Sequence, residues 1–208
     1  MTIATIDTVR PKLVRGRGGG GPASTRTVVA YGFWIFLLSD FILFAGLFAA
    51  YAVLSGNTAG GPTGAELFNL RSVFIETMCL LISSYACGLG ALSAERRRVD
   101  HFYISAVFTF ALGAAFLFIE ISEFAGMISR GAGPSRSAFL SAFFTLVGTH
   151  GAHVTLGLIW FIYMVAQVAV KGLRPHVLRR LLCFSLFWHA LDIVWVGVFT
   201  LVYLMGVR

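Results

Sequence analysis

The sequence predicts an all-α membrane protein: five transmembrane helices in one bundle, with the N-terminus cytoplasmic and the C-terminus periplasmic. Three observations carry this expectation. The 208 residues are 58% hydrophobic and only 12% charged, with a mean hydropathy of +0.84, whereas a soluble domain carries about 25% charged residues. Five apolar runs each reach the roughly 20 residues that a helix needs to cross a bilayer. The basic residues, finally, gather in alternate connections between those runs.

Residues 1–27 are basic and rich in Gly and Pro ("VRGRGGGGPAS"). They read as a disordered cytoplasmic tail ahead of a single transmembrane domain over 28–208. Their basic start is not followed directly by an apolar segment, which sets them apart from a signal peptide. The first span is expected over Val28–Leu54. It is closed by "SGNTAGGPTGAELFNL", a Gly/Pro-rich loop without a basic residue that reads as an ordered external turn. The second span, Ser72–Ala94, ends in "SSYACGLGALSA", whose small residues let helix backbones approach closely. The third, Phe102–Ser129, leads into a similar external turn, "GAGPSRS". The fourth, Ala138–Val170, is about 50 Å long at 1.5 Å per residue, so it must tilt or protrude. The fifth is expected over Leu181–Val207. Cys79, Cys87 and Cys183 all fall within spans and read as small apolar fillers; Cys79 and Cys87 lie two turns apart, too far to bridge.

A net charge of +7 raises the possibility of a nucleic-acid partner, but its placement argues for topology instead. Arg10, Lys12, Arg15, Arg17 and Arg26 precede the first span. Arg96, Arg97 and Arg98 follow the second, and Lys171, Arg174, Arg179 and Arg180 follow the fourth. Only Arg71, Arg130, Arg136 and Arg208 lie at the opposite ends. That alternation is what the positive-inside rule requires, and no nucleic-acid partner is expected.

Eight ionisable residues interrupt the apolar runs: Asp40, Glu76, Glu120, Glu123, His150, His153, His189 and Asp192. A charge at the bilayer centre costs at least ~2.5–3.5 kcal/mol, so such groups face protein or water. Depth along the helices places Asp40, His150, His153, His189 and Asp192 near the midplane, and Glu76, Glu120 and Glu123 in an outer layer. His150/His153, Glu120/Glu123 and His189/Asp192 are each spaced i, i+3, on one helix face. Trp188 and Trp195 flank Asp192. Four readings compete: a metal trio of histidines, a proton relay, a cavity for lipid or quinol, and interhelical hydrogen bonds. The last suits His189 and Asp192, while Arg71 and Arg130 are placed to neutralise the outer acids. Asp40, among Phe33, Phe36, Phe41 and Phe44, is expected to face the bundle interior, toward the histidines or a lipid-filled cleft. The chain contains no nucleophile with its base, no phosphate loop and no cofactor fingerprint.

Four stretches are specific enough to name a family. "GFWIFLLSDFILFAGLFAAYAVL" (Gly32–Leu54), "GNTAGGPTG" (Gly56–Gly64), "GPSRSAFLSAFFTLVGTHGAHVTLGLIW" (Gly133–Trp160) and "SLFWHALDIVWVGVFTLVYLMG" (Ser185–Gly206) resemble subunit III of the haem-copper respiratory oxidases. The details look most like the bo-type ubiquinol oxidase branch: cytochrome c oxidase relatives commonly carry two further N-terminal helices and a Glu at the position of Asp40. The resemblance implies a non-catalytic subunit of a proton-pumping bacterial inner-membrane oxidase that reduces oxygen to water. This chain would bind no cofactor itself, with haem and copper in subunit I. Subunit I would be its main contact, with subunits II and IV beside it and ubiquinol as the substrate of the complex. Phospholipids would fill a cleft carrying Asp40, and the subunit would sustain proton uptake. The alternatives are subunit III of an aa3-type cytochrome c or quinol oxidase and, from another class, a free-standing transporter, for which neither a substrate path nor an internal repeat is visible.

Overall fold

The computed structural model describes residues 24–206. It is helical throughout: α1 (Thr25–Leu54), a short α2 (Gly64–Leu67), α3 (Leu70–Glu95), α4 (Val99–Ser129), α5 (Ala138–Lys171) and α6 (Pro175–Val198), which runs on as π-helical turns over Phe199–Leu204. Five of these helices are long and apolar enough to cross a membrane. The expected tail lies almost wholly outside the described residues, as do Arg10, Lys12, Arg15, Arg17 and Arg208.

Each long helix starts where its capping chemistry allows. The Ser24 and Ser137 hydroxyls accept the backbone N–H of Thr27 and Leu140, and the Asn69 side chain accepts that of Arg71. These satisfy N–H groups that a first turn leaves orphaned. α1 therefore begins at Thr25, three residues before the first apolar run. α6 begins at Pro175 rather than at Leu181, because Pro is preorganised for the first helical position and the basic first turns continue the helix out of the apolar layer. α5 stops at Gly172, whose φ of +66° an L side chain rarely adopts. The loop between α1 and α3 is ordered: Glu66 accepts the Thr63 N–H at 3.4 Å, and Phe139 at the start of α5 donates its N–H to the Asn57 carbonyl at 3.2 Å.

α6 forms the centre. It packs on α1, α3 and α5, and its inner face carries Phe184, Trp188, Leu191, Trp195 and Val198, all buried. Trp188 is clamped between glycines of two neighbours. A Cβ on Gly113 of α4 or on Gly157 of α5 would sit 2.9 Å from its ring. The small-residue end of α3 is a packing surface as expected, since a Cβ on Gly90 would lie 3.3 Å from Ser105 of α4. α1 is the least embedded long helix, with only Leu37, Phe44 and Tyr51 buried. At one end of the bundle, Arg26 of α1 pairs with Glu95 of α3. The pair holds the start of α1 beside the end of α3.

Candidate functional site

The intramembrane polar residues separate into three groups. The first is a seam joining α3, α4 and α6. Trp188 Nε1 donates to Ser83 Oγ at 3.2 Å, and Ser83 donates in turn to the Thr109 carbonyl of α4 at 2.9 Å. One turn or two toward the other end, Trp195 Nε1 donates to Thr77 Oγ1 at 3.1 Å. Ser84 Oγ meets His189 Nδ1 at 3.2 Å. Each bond crosses between helices, and such bonds are worth about 0.6–2 kcal/mol in a membrane.

The second group surrounds the α5 histidines. His150 is completely buried, edge-on to Phe116 at 5.8 Å and tilted against Trp195 at 5.1 Å, with Phe44 of α1 at 6.3 Å. His153, half-buried on the same face, lies 5.3 Å from Phe44 and bonds through Nδ1 to the Thr149 carbonyl at 2.7 Å. Phe44 thus covers both rings. Asp40, one turn before Phe44, is half-buried and lines a cavity of about 10 Å³ walled by Leu37, Phe41 and α6 residues Phe187, Ala190 and Leu191. It faces the α1–α6 interface, with Phe44 standing between it and the histidines. Such a space holds about one water molecule.

The third group is the outer carboxyl layer. Glu76 of α3 is completely buried, Glu120 of α4 nearly so, and Glu123 half-buried. Glu123 lies in the wall of a vestibule of about 850 Å³ at the end of the bundle, together with Glu66, Arg71, Ser122 and Arg130. The two arginines do not neutralise the acids by direct pairing. Arg130 Nε donates instead to the Gly126 carbonyl at 3.0 Å, and among the described residues Arg26–Glu95 is the one ion pair.

Sequence comparison places this arrangement. Residues 17–207 match the family described as cytochrome c oxidase subunit III. The chain is 53% identical over 176 residues to the cytochrome bo(3) ubiquinol oxidase subunit 3 of Pseudomonas aeruginosa, covering 85% of this chain and 84% of that one. It is 51% identical to the subunit of the same name from Pseudomonas putida, over 85% of each chain. The quinol oxidase subunit 3 of Bacillus subtilis is 45% identical over 84% of this chain and 86% of its own. The chain belongs to the cytochrome c oxidase subunit III family.

As a member of that family, it is a subunit of an oxidoreductase complex, with other oxidase subunits as partners and a membrane as its setting. Among the described residues, no three His, Cys, Asp or Glu side chains converge as a ligand set. The three histidines within the apolar runs are committed or enclosed: His150 inside three aromatic rings, His153 on Thr149, His189 on Ser84. The five midplane residues share depth without sharing a site. His189 makes the interhelical bond expected of it, although at the edge of the bundle. It reaches Ser84 across the α3–α6 interface, yet its ring is exposed on the flank of the bundle, because position 189 falls at the margin of the face that Trp188 and Trp195 bury.

The hydroxyls of Ser83 and Thr77 carry the seam, with the Thr109 backbone carbonyl as a further acceptor, and none of these is an ionisable group. The signal that could have found them is a Trp aligned across helices with a Ser or Thr: indole N–H needs an acceptor, and in a membrane interior no water supplies one.

Proposed function

We propose that this chain is subunit III of a bo-type ubiquinol oxidase in the bacterial inner membrane, a helper subunit that carries no redox centre. The observation that supports this reading is the 53% identity to the Pseudomonas aeruginosa subunit across 84–85% of both chains. The printed names of the Pseudomonas and Bacillus relatives all name a quinol oxidase, which favours quinol over cytochrome c as the electron donor. Haem and copper then belong to subunit I. This chain packs against subunit I, with subunits II and IV completing the complex, and its α1 flank around Asp40 is the proposed lipid cleft. In that role it sustains proton uptake by subunit I.

The proposed topology puts the N-terminus in the cytoplasm and the C-terminus in the periplasm. The described basic residues support it: Arg26, Arg96, Arg97, Arg98, Lys171, Arg174, Arg179 and Arg180 stand at one end, and Arg71, Arg130 and Arg136 at the other. The Arg26–Glu95 pair agrees with that grouping.

A tag on this chain tests the assignment. Purification from the native membrane is expected to bring down a haem-bearing subunit and oxygen uptake driven by ubiquinol. Recovery of a complex that oxidises cytochrome c and not quinol would overturn it.

A further inference from the structure

The vestibule of about 850 Å³ carries charge of both signs, and among the described residues no two of its charged side chains pair. The start of α3 supplies Arg71 and Ser72, the end of α4 supplies Ser122, Glu123 and Arg130, and α2 supplies Glu66. Arg130 Nε is tied to the Gly126 carbonyl at 3.0 Å, which leaves its two terminal nitrogens without a protein partner among the described residues. Glu66 holds the Thr63 N–H through Oε2 and keeps Oε1 free. At Gly126, within the same lining, an added Cβ would meet nothing within 4 Å, so the space is open over the α4 backbone. Free guanidinium donors and free carboxylate lone pairs thus face one cavity. Water alone satisfies such groups on an open surface.

Here, however, both walls continue toward the middle of the bundle as exposed apolar side chains. Ile75 follows Arg71 by one turn on α3 and is 51% exposed, and Phe118 precedes Ser122 by one turn on α4 and is 74% exposed. Both helices are apolar enough to cross a membrane, and α3 starts at the vestibule where α4 ends. A ligand at this place meets charge at one end and an apolar flank along the rest. That is the shape of a membrane amphiphile. The signs then select its headgroup. Arg71 and Arg130, beside the N-terminus of the 26-residue α3, suit a phosphate. Glu66 and Glu123 oppose a purely anionic headgroup in the same cavity and suit a cation with N–H donors. A quaternary ammonium has no such donor, whereas a primary ammonium has three.

We infer that the vestibule binds a zwitterionic phospholipid whose headgroup carries a primary ammonium. Its phosphate lies on Arg71 and Arg130, its ammonium on Glu123 and Glu66, and its acyl chains along the flank of Ile75 and Phe118. The site belongs to α2, α3 and α4 and is separate from the proposed cleft at the α1 flank, where α1 packs on α5 and α6. It requires a membrane around the chain. Neither the electron donor of the complex nor the orientation of the bundle enters it.

Native mass spectrometry of the whole purified complex tests this, after exchange into an equal mixture of phosphatidylethanolamine, phosphatidylcholine and phosphatidylglycerol. The native complex is expected to retain phosphatidylethanolamine preferentially. R71Q and R130Q should each lower that retention about tenfold, as for one lost hydrogen bond to a charged group. E123Q should still hold phospholipid but lose the preference for phosphatidylethanolamine over phosphatidylglycerol. Arg71 and Arg130 are exposed, so both variants should assemble. If one does not, Ser122→Trp fills the vestibule from another exposed position and should displace the lipid. Soluble phosphoethanolamine, which lacks acyl chains, should not compete at concentrations where short-chain phosphatidylethanolamine does. Equal competition would mean a headgroup site without a lipid and would overturn the proposal. So would retention and selectivity identical in the native complex and in every assembled variant, or a structure of the complex in which another oxidase subunit fills the vestibule.

Discussion

The α3–α6 seam and the carboxyl layer both draw on α3 and α4, yet they treat buried polarity in opposite ways. Along the seam the indole and hydroxyl donors end on acceptors: Trp188 on Ser83, Ser83 on the Thr109 carbonyl and Trp195 on Thr77. Asp192, between the two tryptophans on α6 and expected to bond across helices, leaves Oδ1 unpartnered among the described residues. In the carboxyl layer both oxygens of Glu76 and Oε2 of Glu120 have no partner among the described residues, and neither ring nitrogen of the buried His150 on α5 has one. A satisfied network fixes one packing of the helices and is finished chemistry. An unsatisfied one is maintained against a penalty, which selection tolerates where the group does something that packing does not need. The two regions even share residues by contact, since the Trp195 ring faces His150 while its N–H serves Thr77. Hydrogen-bonded and unpartnered polarity are thus separated by one indole.

The largest expected effect comes from filling a glycine. In Gly157→Ala the new Cβ would lie 2.9 Å from the Trp188 ring and 3.1 Å from that of Phe187. Both rings are buried and rigid, so the helices must part, at about 1–3 kcal/mol as for other overpacked cores. Gly151→Ala would press only on the carboxyl end of Glu120, which can rotate away within its broad terminal torsion at under about 1 kcal/mol. Thermal denaturation of the purified complex, followed by loss of this subunit, ranks the two. A larger loss for Gly151→Ala would show the Glu120 carboxyl to be held as firmly as the seam.

Next in size is removal of a seam bond. Trp195→Phe keeps a ring beside Phe116 and His150 but deletes the N–H to Thr77, and is expected to cost about 0.6–1.7 kcal/mol. E76Q, at a carboxyl with no hydrogen-bond partner among the described residues, should leave the melting temperature unchanged or raise it. A fall for E76Q as large as that for Trp195→Phe would mean that Glu76 has a structural partner and that the two regions do not differ. A double-mutant cycle of Trp188→Phe with Ser83→Ala refines the seam further. It should return a coupling near 0.6 kcal/mol, whereas Trp188→Phe with E120Q should return none.

The two regions were also unequally legible in the sequence. Five spans followed from apolar run length, and their order and approximate limits stand in the structure. Helix starts were misplaced where a cap or Pro175 carries a helix beyond its apolar run, since hydropathy reports the layer and not the helix. Among the polar residues, depth from the helix ends assigns Glu76, Glu120 and Glu123 to one layer. It could not give the angle about each helix axis. Hence His189 lies on the flank, Asp40 faces α6, and Arg71 and Arg130 line a vestibule without pairing. Angle is set by which neighbours pack on which face, and one sequence does not list its neighbours.

Asp40 belongs to neither region and should give the smallest structural effect. It is half-buried at the least embedded helix, beside a space for about one water molecule. Losing its carboxyl removes no bond of the seam and no member of the outer layer. Asp40→Ala is therefore expected to leave subunit retention, haem spectrum and the initial rate of quinol oxidation near those of the native complex. What should change is persistence: if the α1–α6 flank holds lipid and sustains proton uptake, activity should decay over fewer turnovers. The measurement is the haem spectrum, the initial rate and the rate of decay of one purified preparation. Immediate loss of nearly all oxygen reduction with this subunit still bound would place Asp40 in the catalytic path of the complex. In that case the functional carboxyl would lie at the α1 flank, and the contrast between seam and outer layer would no longer locate it.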